Sequence, residues 1–200
     1  MKNPSFWKNW RLPRTEVVLL ILSLGASTSA ANPEQIATGR EVSGRLFASL
    51  MTTLQQKISE EGPEAAIAYC RLEALPITAR IADEFPEVKN LRRTALRVRN
   101  PANTPDATDR AVLEEWQENW QPGRPPQPAL REVIATNGQT EIRYYQPVPV
   151  MATCLTCHGN AETIAPAVRT AIRAAYPEDQ ATGFADGDLR GAIVVTFDAE

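Results

Sequence analysis

The sequence has no internal repeat, no low-complexity tract and no apolar run long enough to span a membrane. Its most apolar stretch, residues 17–31, is shorter than the roughly 20 residues that a spanning helix needs. Four basic residues precede that stretch and small residues end it, a pattern typical of a signal peptide. We therefore predict that residues 1–31 are cleaved after Ala30 or Ala31 and that the protein is exported. An uncleaved anchor is the alternative.

Basic residues are too few for a partner that is a nucleic acid or an anionic membrane. Removal of residues 1–31 takes four basic residues and one acidic residue from totals of 21 and 24, which leaves a net charge of −6. An acidic chain is repelled by both of those partners. About 170 residues are left, which suits one domain with its own core. We predict a single domain over residues 32–200.

Histidine and cysteine are scarce, with one histidine and three cysteines in the whole chain. Cys154, Cys157 and His158 nevertheless form C-x-x-C-H, the attachment signature of c-type haem. We expect one covalently attached haem c, with both cysteines as thioethers and His158 as one axial ligand of the iron. The alternatives are a disulfide or thioredoxin-like pair, and a zinc site made by the three cysteines and the histidine.

The absence of a second histidine leaves the other axial position of such a haem open to question. Met151 is badly placed, because it lies on the segment that carries His158, and Met51 lies off the apolar stripe of its helix. Cys70 is the odd cysteine, and ferric iron can bind and deprotonate a thiol. The residues alone leave four alternatives: Cys70 ligation, a buried inert Cys70, Met51 ligation, and an open or water-occupied position.

Helical periodicity marks the N-terminal part of the mature chain. Asn32, Pro33 and Glu34 make a helix start, and apolar residues then recur at steps of three and four until Gly62. A second helix is predicted from Pro63, with a break or kink at Pro76 and one or two further turns beyond it.

The remaining segments predict strands and helices in alternation. They are a strand over residues 91–100, a helix from about Pro105 to Trp120 capped by Thr104, a hairpin around Asn137-Gly138, a helix over 161–176 distorted by Pro166, and a final strand over 187–198. Strands joined by a tight turn pair antiparallel. We therefore predict an α+β fold, not the helical bundle of small cytochromes c.

Several stretches resemble a bacterial family of c-type haem proteins with a PAS-like fold: "AIAYC", "RRTALRVRNPANTPD", "MATCLTCHG" and "YPEDQATGFADGDLRGAIVV". The resemblance covers roughly residues 40–198. A soluble cyanobacterial member has His/Cys axial ligation, and related domains are extracytoplasmic sensors of histidine kinases. The resemblance implies thioethers at Cys154 and Cys157, His158 as the proximal ligand, Cys70 as the distal thiolate, and a PAS-like antiparallel sheet with N-terminal and flanking helices.

The function expected from this resemblance is sensing of redox state or of a diatomic gas, with displacement of Cys70 read by an unidentified redox or signalling partner. A low-potential electron carrier is the alternative. Catalysis is not expected, since His158 is committed to iron and Cys70 closes the distal face. The expected compartment is the periplasm or the thylakoid lumen.

Some polar side chains are candidates for binding the haem propionates: Arg92, Arg97, Arg99, Arg143 and Tyr145. Most of them are more typical of solvated strand positions, and Arg99 is the one predicted to bind the cofactor. Trp116 and Trp120 lie four residues apart on a predicted helix and are expected in the core rather than in an electron relay.

Overall fold

The computed structural model describes residues 32–199, so the predicted signal peptide lies outside the described residues. These residues form five helices and four strands. In chain order they are α1 (Pro33–Glu61), α2 (Pro63–Asp83), β1 (Asn90–Thr94), α3 (Ala107–Asn119), β2 (Ala129–Ile134), β3 (Thr140–Pro149), α4 (Leu155–His158), α5 (Pro166–Ala175) and β4 (Leu189–Asp198). Within residues 32–199, no helix combines the length and apolar character that crossing a bilayer requires.

The four strands make one antiparallel sheet in the order β1-β4-β3-β2. The predicted hairpin is confirmed: β2 and β3 are joined by a tight turn in which Gly138 has φ +81° and donates its N–H to the carbonyl of Ala135. The final strand, β4, lies between β1 and β3, so the last part of the chain joins β1 to the β2–β3 hairpin in one sheet. The predicted α+β architecture is confirmed.

Each face of the sheet packs against different helices. On one face, α1 and α2 contribute to a core with β4 and Tyr144. Helix α1 approaches this face closely at Gly39, where a Cβ would lie 2.4 Å from the Cγ atom of Tyr144. On the other face, α3 buries Val112, Leu113 and Trp116. Trp116 is therefore core as predicted, and Trp120 packs beside it, half-buried, with its indole N–H on the carbonyl of Gly187 at 2.6 Å.

Helix α3 is fixed to the sheet by a buried carboxylate. Its N-cap is Asp106, not the predicted Thr104, and Asp106 and Asp109 exchange hydrogen bonds between side chain and backbone in a capping box. Asp109 is fully buried and also accepts from Arg92 on β1 (2.6 Å) and from the Tyr145 hydroxyl on β3 (2.9 Å).

Two prolines lie differently from their prediction. Pro76 does not end α2, which runs to Asp83. Ile77 and Ile81 are buried and hold the second half of the helix in place. Pro76 has no N–H for the carbonyl of Leu72, and Leu72 lies on the exposed side of the helix. Pro166 distorts no helix either, because α5 begins there, where no N–H is required.

The first strand is shorter than predicted. It ends at Thr94, whose partner on β4 is Ala192. The next residue of β4, Gly191, has φ +154°, and a Cβ there would lie 2.3 Å from the carbonyl oxygen of Thr94. The pairing therefore stops, and Leu96 and Val98 lie in an irregular segment.

Candidate functional site

A cavity of ≈ 260 Å³ opens between α1, α2, the ends of β1 and β4, and the C-x-x-C-H segment, residues 154–158. All the site residues predicted from the sequence line its wall: Cys70, Arg99, Cys154, Cys157 and His158. Cys70 comes from α2, Arg99 from the segment after β1, and the others from α4 and the residue before it. Parts of the chain up to 88 residues apart thus face one space, as Cys70 and His158 do.

The apolar wall of the cavity is the second half of α1. In the first half, Val42 and Leu46 are fully buried against the sheet. Leu54 and Ile58 continue the same stripe but stay half-buried, because they face the cavity, together with Met51. Apolar side chains that face an enclosed space, with few polar groups among them, are typical of a site for a largely apolar ligand.

The C-x-x-C-H segment forms a tight helical turn. A 3-10 turn over Ala152–Cys154 leads directly into α4, and Gly159 follows it, where a Cβ would lie 2.6 Å from the carbonyl oxygen of Leu155. Cys154 and Cys157 are both free thiols, as is Cys70. The short turn therefore presents its two thiols and its imidazole to the same cavity.

His158 is held as a neutral imidazole with one nitrogen committed. Its Nδ1 lies 2.7 Å from the carbonyl oxygen of Ala181, and since a carbonyl can only accept, Nδ1 carries the proton. Burial, followed by the charges of Arg190 and Arg99, holds the pKa of His158 well below its usual value. The Nε2 lone pair is therefore available, which is the state that a metal-binding histidine requires.

Arg99 ties the C-x-x-C-H segment to the loop that carries Ala181. Its guanidinium bonds both carboxylate oxygens of Asp179 (3.0 and 3.1 Å) and donates to the carbonyls of Cys157 (2.7 Å) and Ala181 (3.2 Å). The side chains of this ion pair are only 10% and 8% exposed. The predicted contact of Arg99 with a cofactor stays a prediction. The contacts of Arg99 that the structure shows hold the backbone on either side of His158, at the carbonyls of Cys157 and Ala181.

Comparison with known proteins agrees with this arrangement. The sequence profile of the Tll0287-like family matches residues 28–197. The chain belongs to this family. Among solved structures, the crystal structure of the cyanobacterial haem-protein Tll0287 is similar to it, with 24% identity, a TM-score of 0.59, and coverage of 85% of this chain and 98% of that one. No curated protein matches the chain. The predicted family and its PAS-like α+β fold are confirmed.

Two of the three thiols are made harder to ionise by their surroundings. Burial raises the pKa of Cys70, and the charges of Arg93 and Arg99 oppose that rise without cancelling it. Burial likewise raises the pKa of Cys157. A thioredoxin-like pair needs a depressed thiol pKa, so that alternative has no support here. A bound metal, in contrast, removes the proton from a coordinating thiol outright.

The four side chains predicted to hold the haem line one cavity, three of them on the C-x-x-C-H turn and Cys70 on α2. Within residues 32–199, no three His, Cys, Asp or Glu side chains are grouped so that they could hold a metal ion. The zinc alternative therefore has no ligand set in that part of the chain.

Of the other propionate candidates, three lie away from the cavity. Arg92, Arg143 and Tyr145 surround Asp109 on the α3 face of the sheet. Arg97 stacks on the ring of Phe184, with its Cζ atom 3.8 Å from the ring centroid. These four side chains thus have structural partners. Tyr145 is fully buried and is therefore not the solvated strand position that was expected.

Two arginines on the cavity wall, Arg93 and Arg190, were not among the residues predicted from the sequence. Arg93 could have been found, because strand alternation places it on the same face as the buried Leu91. Arg190 could not, since regular alternation from Ala192, which packs on α3, places it on the α3 side, and only an irregularity in the pairing of β4 brings it to the cavity.

Proposed function

We propose that this chain is a monohaem c-type haem protein. Cys154 and Cys157 would hold the haem through thioethers, and His158 and Cys70 would be the axial ligands. The observation that carries the proposal is that these four residues, distant in sequence, all line one cavity. Membership of the Tll0287-like family supports it, because the similar solved structure is that of a haem-protein.

The lining of the cavity fits such a cofactor in its chemistry. The second half of α1 offers an apolar wall, and His158 offers an unprotonated Nε2. The raised pKa of Cys70 means that its thiol needs a metal to become a thiolate. When bound, the haem would supply a one-electron redox centre and a coordination site for a diatomic ligand.

We further propose that the protein senses redox state or a diatomic gas through the binding of Cys70 to the haem iron and its release. Cys70 is carried by α2, which packs on α1, α5 and β1. On the outer side of the same helix Leu72 is 69% exposed, with Leu75 also exposed. A change at Cys70 would therefore shift a helix that presents apolar side chains to a signalling partner. No catalytic role is proposed.

Electron transfer is the second candidate function. The net charge of −6 that cleavage at residue 31 would leave suits steering toward a basic redox partner. In either case we propose export, to a periplasm or a thylakoid lumen, because thioether attachment of haem takes place outside the cytoplasm. Sequencing of the mature N-terminus tests this, and a start at Met1 in purified protein would contradict cleavage.

The ligand assignment is tested by optical and electron-paramagnetic spectra of the ferric protein with C70A, using M51A as the matched control. We expect a low-spin thiolate spectrum in the unmodified protein and in M51A, and its loss in C70A. Thiolate ligation also favours the ferric state, so C70A should have a higher midpoint potential. An unchanged spectrum and midpoint in C70A would remove Cys70 from the proposal.

Sensing and electron transfer are distinguished by hydrogen exchange in α2. If Cys70 leaves on reduction, the amides of α2 around residue 70 exchange faster in the reduced protein, and C70A shows fast exchange in both states. Identical exchange in the two redox states of the unmodified protein, with rapid electron exchange, would favour the carrier and exclude the switch.

A further inference from the structure

Positive charge accumulates beside His158 without matching negative charge. Arg190 has three arginines as electrostatic neighbours, Arg93, Arg97 and Arg99, and only one carboxylate, Asp179. Both oxygens of Asp179 bond Arg99. Arg97 faces the ring of Phe184. Of these four arginines, Arg93 and Arg190 are therefore the two that line the cavity and have no paired carboxylate among residues 32–199.

Arg93 reaches the cavity by regular strand alternation. Its neighbours on β1, Arg92 and Thr94, point to the α3 side, where Arg92 bonds Asp109. The Nε atom of Arg93 is buried and has no hydrogen-bond partner within residues 32–199. Its electrostatic neighbours are Cys70 and Tyr176, and neither is a carboxylate. A buried donor left unpaired in this way is costly, since native proteins pair nearly all of them.

Arg190 reaches the cavity through an irregularity in β4. Val148 pairs with Gly191 and Pro149 with Leu189, so Arg190 is the extra residue of a β-bulge. Bulges redirect side chains and occur next to functional sites. Only glycine at 191 allows this bulge, given its positive φ and the 2.3 Å from its would-be Cβ to the carbonyl oxygen of Thr94. Apart from one bond from Nη1 to the carbonyl of Arg97, Arg190 has no hydrogen-bond partner in the described chain.

The ligand of this cavity must therefore bring negative charge to these two guanidiniums. An unpaired buried cation destabilises a fold unless a partner arrives, and guanidinium pairs with carboxylate in a bidentate geometry. Haem carries two propionate carboxylates on one edge. We propose that Arg93 and Arg190 form a two-carboxylate subsite that binds the propionates, while Arg99, already paired with Asp179, positions the C-x-x-C-H backbone. This inference rests on the proposed haem function.

The test measures binding of iron protoporphyrin IX and of its dimethyl ester to the full chain produced without haem attachment. The ester lacks both carboxylates but keeps the iron and the apolar surface. We expect the unmodified chain to prefer the free acid by about tenfold or more, the value of one or two charge-assisted hydrogen bonds. R93Q/R190Q should bind both compounds equally. R110Q, which removes an exposed arginine of α3, should keep the preference.

A second measurement separates binding from folding. Without cofactor, R93Q/R190Q should unfold at the same or a higher temperature than the unmodified chain, because the substitutions remove two half-buried charges that have no carboxylate partner among residues 32–199. With iron protoporphyrin IX bound, the order should reverse. R93K/R190K keeps both charges and should keep most of the preference for the free acid. Unfolding of the double glutamine variant at a lower temperature without cofactor would give these arginines a purely structural role and overturn the inference.

The binding results themselves can also overturn the inference. Equal binding of acid and ester by the unmodified chain, or a preference that survives in R93Q/R190Q, would overturn the propionate subsite and leave the haem proposal standing. Binding of neither compound by the unmodified chain, together with no haem attachment in a host that matures c-type haem proteins, would overturn the proposed function and this inference with it.

Discussion

One carbonyl oxygen, that of Ala181, receives two N–H groups from the site: His158 Nδ1–H at 2.7 Å and an Arg99 N–H at 3.2 Å. The N–H of the same residue donates to Asp179 at 2.9 Å. The orientation of the imidazole is therefore set by a residue whose backbone N–H and C=O are both held by the buried Arg99–Asp179 pair. Outer contacts of this kind hold the ring position and basicity of a ligating histidine.

Substitution of the arginine in this pair should lower the stability of the folded protein. R99Q leaves the buried carboxylate of Asp179 without its cation, so we expect the free energy of unfolding to fall by about 3–5 kcal/mol in urea titrations. R110Q at the surface should change it by less than about 0.5 kcal/mol. In R99Q/D179N the free energy of unfolding should fall by less than the sum of the falls in R99Q and D179N, because neither charge is left unpaired. Falls that add up strictly would contradict the pairing.

The tautomer of His158 can be read directly because the chain has no other histidine. In ¹⁵N spectra of the cofactor-free protein we expect one imidazole signal set, with a protonated Nδ1 and a bare Nε2. R99Q should increase exchange of the Nδ1 proton, since the Ala181 peptide is then held less firmly. A protonated Nε2 in the unmodified protein would contradict the assignment.

Two glycines of α1 give opposite predictions for the same substitution. At Gly39 a Cβ meets the Tyr144 ring at 2.4 Å, whereas at Gly44 nothing lies within 4 Å. G39A should lower the free energy of unfolding by about 1–3 kcal/mol through overpacking. G44A should raise it by about 0.5–1 kcal/mol, because alanine is the better helix former. Equal effects in thermal or urea unfolding would mean that α1 does not pack on β3 as described.

At the scale of elements, α3 depends on charge at its first turn. Burial alone would favour the neutral acid at Asp106, but the N–H of Asp109 and the guanidinium of Arg143 outweigh it, so the pKa of Asp106 lies below its usual value. A carboxyl with a depressed folded pKa contributes stability that is present above the unfolded pKa, near 3.8, and is lost as the pH falls through the folded pKa.

D106N therefore has a pH-dependent effect. Asparagine keeps the N-cap but removes the charge, so the variant should be less stable than the unmodified protein at pH 7. The difference should shrink as the pH is lowered from about 5 toward 2. Unfolding midpoints measured across this range check it, with D186N at an exposed position as the control. A constant difference at all pH values would assign the effect to the cap alone.

The elements found by sequence reasoning are those fixed by local chemistry. The two long helices follow from apolar spacing and the glycine and prolines at their boundaries, and the β2–β3 hairpin follows from Asn137-Gly138. The end of β1, the continuous α2 through Pro76 and the bulge at Arg190 do not, because each depends on a neighbouring chain segment: the close approach of Gly191, the packing of Ile77, and the register of β3.

For the site, the motif located Cys154, Cys157 and His158, while the role of Cys70 came from resemblance and from its being the odd cysteine. That all four share a cavity could not be derived from spacing, since Cys70 is separated from Cys154 by three strands and the whole of α3. Arg93 was missed although alternation from Leu91 places it inward. The partner of Arg99, Asp179, lies 80 residues away in the sequence, and no local sequence pattern predicts such a pair.

At the scale of the whole molecule, α1 is divided between two environments. Its first half packs on the sheet and its second half faces the cavity. If haem fills that cavity, C154A/C157A, which prevents attachment, should leave amides of residues 50–58 exchanging faster while residues 39–47 keep their protection. Hydrogen exchange with peptide resolution measures both in one experiment. Uniform change along α1 would contradict the division.

The solitary imidazole has a consequence for how a loaded chain would refold. In haem proteins with several histidines, a wrong side chain can capture the iron in the denatured ensemble and delay recovery. Here no second histidine could compete with His158 for the iron, and thioether bonds at Cys154 and Cys157 would keep it beside the metal. Recovery from denaturant at neutral pH should accordingly lack the slow phase that comes from histidine misligation.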